Sequence, residues 1–446
     1  MKRILLIFLL SLLLGCSTTQ HSSTQKQTLS FIGPFQVHRS LLSNGLKLLV
    51  LEDHSSPTFA YQTWYRVGSR NEVSSKTGLA HLFEHMMFKE TTKLKEGEFD
   101  RLLEGAGAEG ENAFTSRDFT TYIQELPSSQ IQLITQLEAS RMRQVIVNEK
   151  SFKTETEVVQ NERRFRNENN PDGLMNQELF ELAFERHSYH WPIIGYQKDL
   201  EQMTAKDALE FYRTYYSPQH ATVVVVGDVD PQQVRQLVEK AYGSYTTSNE
   251  PLLQIQEEPS QTQTRSKNIR LNIQVEKLLM GYKIPQYSHV DLPTLDVIQE
   301  ILTGGKSNRL RKALVDTGIS SSVESEYSDS SDPTLFVIGT NLQKGRKTHQ
   351  ARSIIERELK RLATQLISHQ ELQKVKNRMN FQFYDDLGSH FTKAYFLGFY
   401  ETIAGDFRFG LTKRQAIQTV TPEDIQRTAQ KYFRKTQLTV ITGVPK

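Results

Sequence analysis

The chain has 446 residues, of which 37% are hydrophobic and 24% are charged, and its formal net charge is +3. This composition is typical of a globular protein of two or three domains and excludes a fibrous or mostly disordered chain. The one cysteine excludes an internal disulfide framework, and charges of both signs interspersed along the chain argue against a nucleic-acid partner.

Residues 1–15 are typical of an export signal. Lys2 and Arg3 precede an apolar run from residue 4 to residue 14. That run is shorter than the roughly 20 residues that a membrane-crossing helix needs, which favours a cleaved signal over an anchor helix. Later stretches are less apolar still, so the sequence excludes a polytopic membrane protein.

The residues around Cys16 indicate lipidation. The sequence from Leu13 to Cys16 resembles a bacterial lipobox, in which the cysteine is acylated and becomes the first mature residue. Ser17 resembles the residue that follows the cysteine in lipoproteins of the outer membrane, which implies a lipid anchor facing the periplasm. The alternative is a plain signal peptide with an incidental cysteine. Residues 16–35 are predicted to form a flexible tether because they are polar.

From residue 36 onward, strand-like and helix-like segments alternate. The predicted strands cover residues 46–51, 60–67, 221–226, 271–282, 334–339 and 438–441, and the predicted helices cover 78–88, 133–145, 152–167, 232–242, 292–302 and 350–366. Thr77 is the predicted cap of the first helix. The segment 246–267 is rich in Ser, Thr, Gln, Glu and Pro and is predicted to be a linker.

The order of elements before the linker recurs after it. This recurrence predicts a duplicated α+β domain, with a first copy at 36–245 and a second copy at 268–446.

The strongest chemical signal is the sequence His81-Leu82-Phe83-Glu84-His85 on a predicted helix. Two histidines four residues apart project from one face of a helix, at the spacing at which two imidazoles can share one tetrahedral zinc ion. Glu84 lies at the edge of that face, where a carboxylate can take a proton from water and pass it to a leaving amine. This is the inverse of the HExxH order with the same chemistry. The alternative is a chance pattern of surface histidines.

A catalytic zinc site takes a third protein ligand, and the predicted helix at 152–167 offers carboxylates for it. Glu155 and Glu162 are seven residues apart and therefore share a helix face, whereas Glu157 points away. We expect one of the pair to bind zinc and the other to support the site, and helix geometry leaves open which is which. The alternative is a solvated charged face paired with neighbouring arginines.

With these residues the sequence resembles the pitrilysin family of inverted-motif zinc peptidases, which includes insulin-degrading enzyme and mitochondrial processing peptidase. The segments from Gly78 to Met86 and from Glu155 to Glu162 match the family's metal helix and acidic helix. The resemblance implies an α+β clamshell of two homologous domains, each a mostly antiparallel sheet with helices packed on it. It also implies Zn²⁺ as cofactor, metal ligands His81, His85 and Glu162, and catalytic roles for Glu84 as general base and Glu155 as supporting carboxylate.

The resemblance extends to substrate binding. Asn112, Ala113 and Phe114 lie in a segment that resembles the strand with which family members pair a peptide substrate, which implies recognition by strand addition. Taken alone, this asparagine would be interpreted as a turn residue before a strand.

The second half resembles the family's metal-free domain through the segment from Gly304 to Leu310. In many members an arginine and a tyrosine follow, which hold the substrate carbonyl and the developing oxyanion. Here Val315 and Ser321 stand in their places. The resemblance therefore predicts a homologous partner subunit that supplies that pair in a heterodimer. A homodimer is the alternative assembly.

The resulting hypothesis is a lipid-anchored, zinc-dependent endopeptidase of the bacterial envelope that hydrolyses short or unfolded peptides. One alternative is a non-catalytic subunit that keeps the fold for peptide binding or as a scaffold. A zinc-storage protein is a third possibility, although a single buried site would store zinc inefficiently.

Overall fold

The computed structural model describes residues 25–446, so the predicted signal and Cys16 lie outside the described residues. Within that part of the chain, twelve strands form two sheets. The strands are β1 (Gln25–Ser30), β2 (Gln36–Leu41), β3 (Lys47–Glu52), β4 (Thr58–Tyr65), β5 (Glu109–Thr115), β6 (Thr120–Pro127), β7 (Ala221–Gly227), β8 (Arg265–Leu271), β9 (Lys277–Ile284), β10 (Ser320–Glu326), β11 (Thr334–Leu342) and β12 (Leu438–Pro445).

Fourteen α-helices in residues 25–446 cover the sheets. They are α1 (Leu79–Met86), α2 (Glu98–Gly105), α3 (Ile131–Gln144), α4 (Glu149–Arg163), α5 (Pro171–Ala183), α6 (Gln197–Gln202), α7 (Ala205–Tyr215), α8 (Pro231–Tyr242), α9 (Leu292–Thr303), α10 (Thr348–Thr364), α11 (His369–Asp386), α12 (His390–Ala404), α13 (Arg408–Thr419) and α14 (Pro422–Tyr432). Within residues 25–446, none of them combines the length and apolar character that crossing a membrane requires.

The first sheet has seven strands in the order β1-β2-β3-β7-β4-β6-β5. Its strands pair antiparallel except β3 and β7, which run parallel from Lys47↔Thr222 onward. The central strand β7 is buried along its whole length because helices cover both faces of the sheet, which explains its run of four valines. One face packs on α1, α3, α7 and α8.

The second sheet repeats this plan with five strands in the order β10-β11-β9-β12-β8. Its parallel pair is β8 and β12, and its other pairs are antiparallel. The series β8-β12-β9-β11-β10 therefore keeps the pairing sense of β3-β7-β4-β6-β5 at every step. The prediction of two homologous α+β units with mostly antiparallel sheets is confirmed, and β1 and β2 are an addition to the first unit.

Each half of the chain contributes one helix that packs on the sheet of the other half. Helix α12 packs on β4 and β7, and the cluster it forms includes Trp64 of the first sheet and Leu397 of the helix, both fully buried. Helix α5 packs in the same way on β8, β9 and β12 of the second sheet. The two halves are therefore joined by hydrophobic cores and not by the linker alone.

Four local predictions differ from the structure. Residues 25–30 of the predicted tether form β1, because they pair with β2 from Gln25↔Leu41 to Ser30↔Gln36. The single strand expected at 271–282 is two strands, β8 and β9, separated by a turn. Residues 246–264 contain no helix or strand, but β8 begins inside the predicted linker. Thr77 does not cap α1, since its hydroxyl donates to Asp199 and the residue at the cap position is Gly78.

Candidate metal centre

The start of helix α1 is held by a buried carboxylate. Glu72 Oε2 accepts a hydrogen bond from the backbone N–H of Gly78, and Oε1 accepts one from Ala80, both at 2.8 Å. These N–H groups lie in the first turn, where a helix offers no internal acceptor. Glu72 therefore fixes the direction in which α1 projects its histidines, a role that sequence reasoning missed because the residue precedes the helix by several positions.

Three predicted ligands come together where α4 packs against α1. Glu162 Oε2 lies 3.3 Å from His85 Nε2 and 3.8 Å from His81 Nε2. One ligand atom from each residue lies within 4.8 Å of the other two. Among residues 25–446, no second group of three or more such side chains meets this spacing.

The donor set fits zinc. Ligand atoms about 2.0–2.2 Å from a tetrahedral zinc ion are separated from one another by about 3.3–3.5 Å. The contact between His85 and Glu162 has this length, and the contact between His81 and Glu162 is slightly longer. Two imidazoles and one carboxylate also match the ligand types of catalytic zinc sites, which keep a fourth position open.

The two imidazoles have different electrostatic surroundings. Burial lowers the pKa of His81 to about 4, so its ring is neutral and offers a lone pair at neutral pH. Burial also acts to lower the pKa of His85, but hydrogen bonds to Glu155 and Glu162 outweigh it and raise that pKa to about 9. The carboxylates around His85 therefore stabilise positive charge at this point, whether it is carried by a proton or by a metal ion.

Glu84 is next to this cluster and faces the same cleft. Its Oε2 accepts a 2.6 Å hydrogen bond from the Thr115 hydroxyl. Burial raises the pKa of Glu84, and the hydrogen bond from Thr115 opposes that shift. A carboxylate with a raised pKa is a stronger proton acceptor, which suits a general base.

Glu155 contacts the far side of His85. Its Oε2 lies 3.3 Å from His85 Nδ1, and its Oε1 lies 2.6 Å from the ammonium of Lys89. A carboxylate on the nitrogen that does not face the metal fixes the orientation of a histidine ligand. The two glutamates whose roles helix geometry left open are therefore placed differently: Glu162 lies beside both imidazoles, and Glu155 lies behind His85.

The cluster lies in an open cleft of about 1030 Å³. The residues that line it fall between His81 and Ile194, so its walls come from the first half of the chain. Val315 and Ser321 of the second half do not line it. Of these two, Val315 ends a π-helical turn and Ser321 lies on β10, an edge strand of the second sheet.

The strand β5 forms one side of the cleft and contains the predicted substrate-binding residues. It is an edge strand, paired with β6 on one side only. Asn112 is exposed, and its Oδ1 accepts a hydrogen bond from the N–H of Ala113. Phe114 lines the cleft and also packs against Trp64 and Tyr395. An edge with free backbone groups can accept an added strand.

Five further charged residues line the cleft without having been predicted, and they are Lys89, Asp100, Glu111, Arg117 and Arg166. Lys89 pairs with Glu155, as described above, and Arg166 pairs with Glu162 at 2.9 Å. Burial raises the pKa of Glu111, at the start of β5, to about 7. The pair of Glu162 and Arg166 could have been identified from the sequence, because residues four positions apart on a helix are neighbours.

Two family models match the chain. Residues 47–196 match the model described as insulinase, peptidase family M16, and residues 202–379 match the model described as the peptidase M16 inactive domain. The zinc protease PqqE of Helicobacter pylori is 32% identical over 412 residues, which are 91% of this chain and 92% of that protein. Mitochondrial-processing peptidase subunit beta of Lentinula edodes is 26% identical over 229 residues, 50% of this chain and 48% of that protein.

Solved structures show the same architecture. The crystal structure of a protease from Helicobacter pylori has a TM-score of 0.88 at 30% identity and covers 95% of this chain and 100% of its own. The periplasmic protease PqqL of Escherichia coli has a TM-score of 0.76 at 17% identity, over 92% of this chain and 48% of its own. The expected two-domain clamshell type and the expected family are both confirmed. With a family relative 32% identical across nine-tenths of its length, the chain belongs to the insulinase family of peptidases, M16.

Proposed function

We propose that the chain is a zinc-dependent endopeptidase that hydrolyses short or unfolded peptides in the bacterial cell envelope. The observation that carries the proposal is the placement of Glu84 beside the cluster of His81, His85 and Glu162, in a cleft lined by an edge strand. The residues of both family motifs are present, and PqqE is named a zinc protease.

The protein's side chains divide the chemistry between them. His81, His85 and Glu162 would hold zinc, which supplies a Lewis acid that polarises the substrate carbonyl and makes water a stronger nucleophile at neutral pH. Glu84 takes the proton of the attacking water and passes it to the leaving amine. Thr115 donates to Oε2 of Glu84, so Oε1 is the oxygen free for this transfer. Glu155 orients His85 through Nδ1.

Peptide binding is proposed to occur by strand addition to β5, with Asn112, Ala113 and Phe114 at the contact. Backbone hydrogen bonds along an edge strand select for extended peptides and give little sequence selectivity. A folded protein does not offer a free extended segment, which is why short or unfolded peptides are the proposed substrates.

The proposed location is the periplasmic face of the outer membrane, with a lipid anchor at Cys16. The lipobox-like sequence before Cys16 supports the anchor, and the name of PqqL as a periplasmic protease supports the compartment. Residues 16–24, which precede β1, would connect the anchor to the folded chain. For the domains we propose a zinc-binding unit that ends near residue 245 and a metal-free unit that begins with β8, joined by residues 246–264.

A homologous partner subunit is proposed to complete the active site. Val315 and Ser321 cannot offer the cationic and phenolic groups that many family members place on the substrate carbonyl. The residues that line the cleft all come from the first half, so no lining residue of the second half supplies such a group. Donors of this kind typically contribute about 3–4 kcal/mol of transition-state stabilisation.

The same two residues favour the alternative, in which the chain is a non-catalytic subunit that binds peptides or acts as a scaffold. This alternative predicts no hydrolysis under any condition, including in the presence of a homologous partner that carries the arginine and tyrosine.

The first test is a Glu84→Gln variant assayed with a quenched fluorescent peptide. We expect hydrolysis to fall by at least about a thousandfold, since the general base is lost, while zinc measured by metal analysis stays at one ion per chain. Glu157→Gln, an exposed change on the opposite side of α4, is the matched control and should leave the rate unchanged.

The assay is run with and without a homologous chain that contains the missing pair. A Glu84→Gln variant as active as the wild type would remove the mechanism. An inactive wild type that stays inactive with the partner would favour the non-catalytic alternative.

A further inference from the structure

Arg117 is a charged residue of the cleft that the proposed mechanism does not use. It follows β5 by two residues, in a turn that the Ser116 hydroxyl holds by accepting the backbone N–H groups of Asp118 and Phe119, both at 3.0 Å. Its backbone carbonyl accepts the N–H of Arg70 at 2.9 Å. Its guanidinium lies over the ring of Phe180, 3.6 Å from the centroid. The side chain is therefore placed with little freedom.

This guanidinium forms no ion pair within 4 Å among residues 25–446, and the carboxylates of Asp118 and Glu326 act on its charge only from a longer distance. It makes no side-chain hydrogen bond or ion pair there, and its Nε is buried without a partner. The acidic residue beside it, Asp118, is already engaged by Arg70 at 3.3 Å and by the hydroxyl of Tyr189 at 2.7 Å. Burial lowers the pKa of Arg117 to about 10, so the group stays charged at neutral pH.

The other permanent cations of the cleft are paired. Lys89 contacts Glu155, and Arg166 contacts Glu162, as described for the metal centre. Burying a charge without a partner is costly, and proteins usually avoid it by pairing the charge. An unpaired guanidinium in a substrate cleft is instead what a site for an anionic ligand group requires, because arginine binds a carboxylate through two parallel hydrogen bonds.

We propose that Arg117 binds a carboxylate of the peptide substrate, which is either the C-terminal carboxylate of a short peptide or the side chain of an aspartate or glutamate. This inference rests on the proposed function, since it assumes that peptides pair with β5. Arg117 lies just beyond the end of that strand, so it meets a group at one end of a paired peptide. The seven residues of β5 match a paired segment about 23 Å long.

The experiment measures binding without turnover, by fluorescence anisotropy on the zinc-loaded Glu84→Gln chain. Three versions of one labelled peptide are compared: one with a free C-terminus, one with an amidated C-terminus, and one with an internal aspartate added to the amidated form. We expect a version with a carboxylate to bind about tenfold or more tightly than the amidated one. The version that binds more tightly than the amidated peptide identifies the source of the carboxylate.

Variants of Arg117 then assign the preference to this residue. Arg117→Met keeps an apolar stem over Phe180 and should abolish the preference, whereas Arg117→Lys keeps the charge and should retain part of it. Arg101→Met removes an exposed charge of α2 outside the cleft and should leave the preference intact. Thermal unfolding of each variant checks that the fold is kept.

The outcomes separate this inference from the proposed function. Equal binding of the acid and amidated peptides to the chain with Arg117 intact would overturn the inference, even if no variant folded. A preference that survives in Arg117→Met would overturn it as well. If the wild type cleaves peptides without a carboxylate preference, the inference fails while the peptidase stands, and selective binding without cleavage would reject the peptidase alone.

Discussion

The candidate metal centre depends on side chains outside its group of three potential ligands. His85 has a carboxylate on each nitrogen, Glu162 at Nε2 and Glu155 at Nδ1, both at 3.3 Å. Lys89 neutralises the outer oxygen of Glu155 and so keeps that carboxylate in place. An imidazole held between two carboxylates in this way has its ring orientation fixed, with Nε2 on the side of Glu162.

A Glu155→Gln variant is predicted to weaken zinc binding by about 10–100-fold, because the neutral amide no longer polarises His85. Competition with a fluorescent zinc chelator measures the affinity directly. Glu157→Gln is again the control, since that side chain is exposed on the same helix. A zinc affinity equal to that of the wild type would mean that Glu155 does not strengthen zinc binding through His85.

Much of this site could be predicted from residue spacing, and the part that could not has a physical reason. The periodicity of an α-helix places Glu155 and Glu162 on one face and Glu157 off it, as the structure shows. Which of the pair lies beside both histidines depends on how far along α1 helix α4 crosses. That crossing is set by packing between elements distant in the chain. For the same reason no local signal identified Arg117 as a cleft residue.

At the scale of elements, the placement of α1 depends on two glycines packed against each other. Gly78, at the cap position before α1, has φ of 94°, and Gly195 adopts φ of 80° in the loop that crosses it. A Cβ at Gly195 would clash with the carbonyl oxygen of Thr77 and the Cα of Gly78. This contact lets the loop before α6 close over the helix that carries the histidines.

Gly195→Ala is predicted to destabilise the protein by about 3 kcal/mol or more, since it combines a left-handed backbone with a steric clash against backbone atoms. Gly318→Ala is the matched control, because Gly318 has φ of 69° but nothing within 4 Å of the added methyl. It should cost only about 1 kcal/mol. Urea denaturation of both variants gives the comparison, and equal losses would show that the close approach contributes nothing.

Strands and helices with strong periodicity, such as β7 and α10, could be predicted from the sequence, whereas elements specified by pairing could not. The segment of β1 is polar and exposed along most of its length, so it has no hydrophobic pattern to identify it. It is a strand because β2 offers an edge for it to pair with. Similarly, the cap of α1 comes from Glu72 and not from the adjacent Thr77, because Thr77 is bound to Asp199.

At the scale of the whole molecule, the duplicated units are interlocked. Polar contacts accompany the packing of α12 on the first sheet: Lys393 donates to Asp53 at 2.8 Å, and Arg39 and Lys47 both contact Glu401. On the other side, Lys277 at the start of β9 pairs with Asp172 of α5 at 2.6 Å. The relative position of the halves is thus fixed by two helix–sheet contacts, α12 on the first sheet and α5 on the second sheet, each with an apolar core.

This arrangement predicts that the first half cannot fold by itself. A fragment of residues 25–250 would expose the face of the first sheet that α12 covers, including Trp64 and Leu49, which are fully buried in the whole chain. An exposed apolar face of this size promotes aggregation. We expect the fragment to be insoluble or to lack a cooperative unfolding transition, and to become soluble when residues 251–446 are expressed with it.

Cutting the chain without removing either half tests the same interlocking more stringently. A protease site inserted between residues 250 and 255 lies in a segment without helix or strand. Its cleavage breaks the covalent link between the halves and leaves α5 and α12 packed on the opposite sheets. The cut protein should elute from a sizing column as one particle and unfold in one transition, because α5 and α12 still cover the opposite sheets. If the pieces separate under native conditions, the linker holds the halves together and the cleft owes its shape to chain connectivity. If they remain together, the second half acts as a scaffold for the first sheet, which would explain why a metal-free unit is kept in a chain whose proposed chemistry lies entirely in the other half.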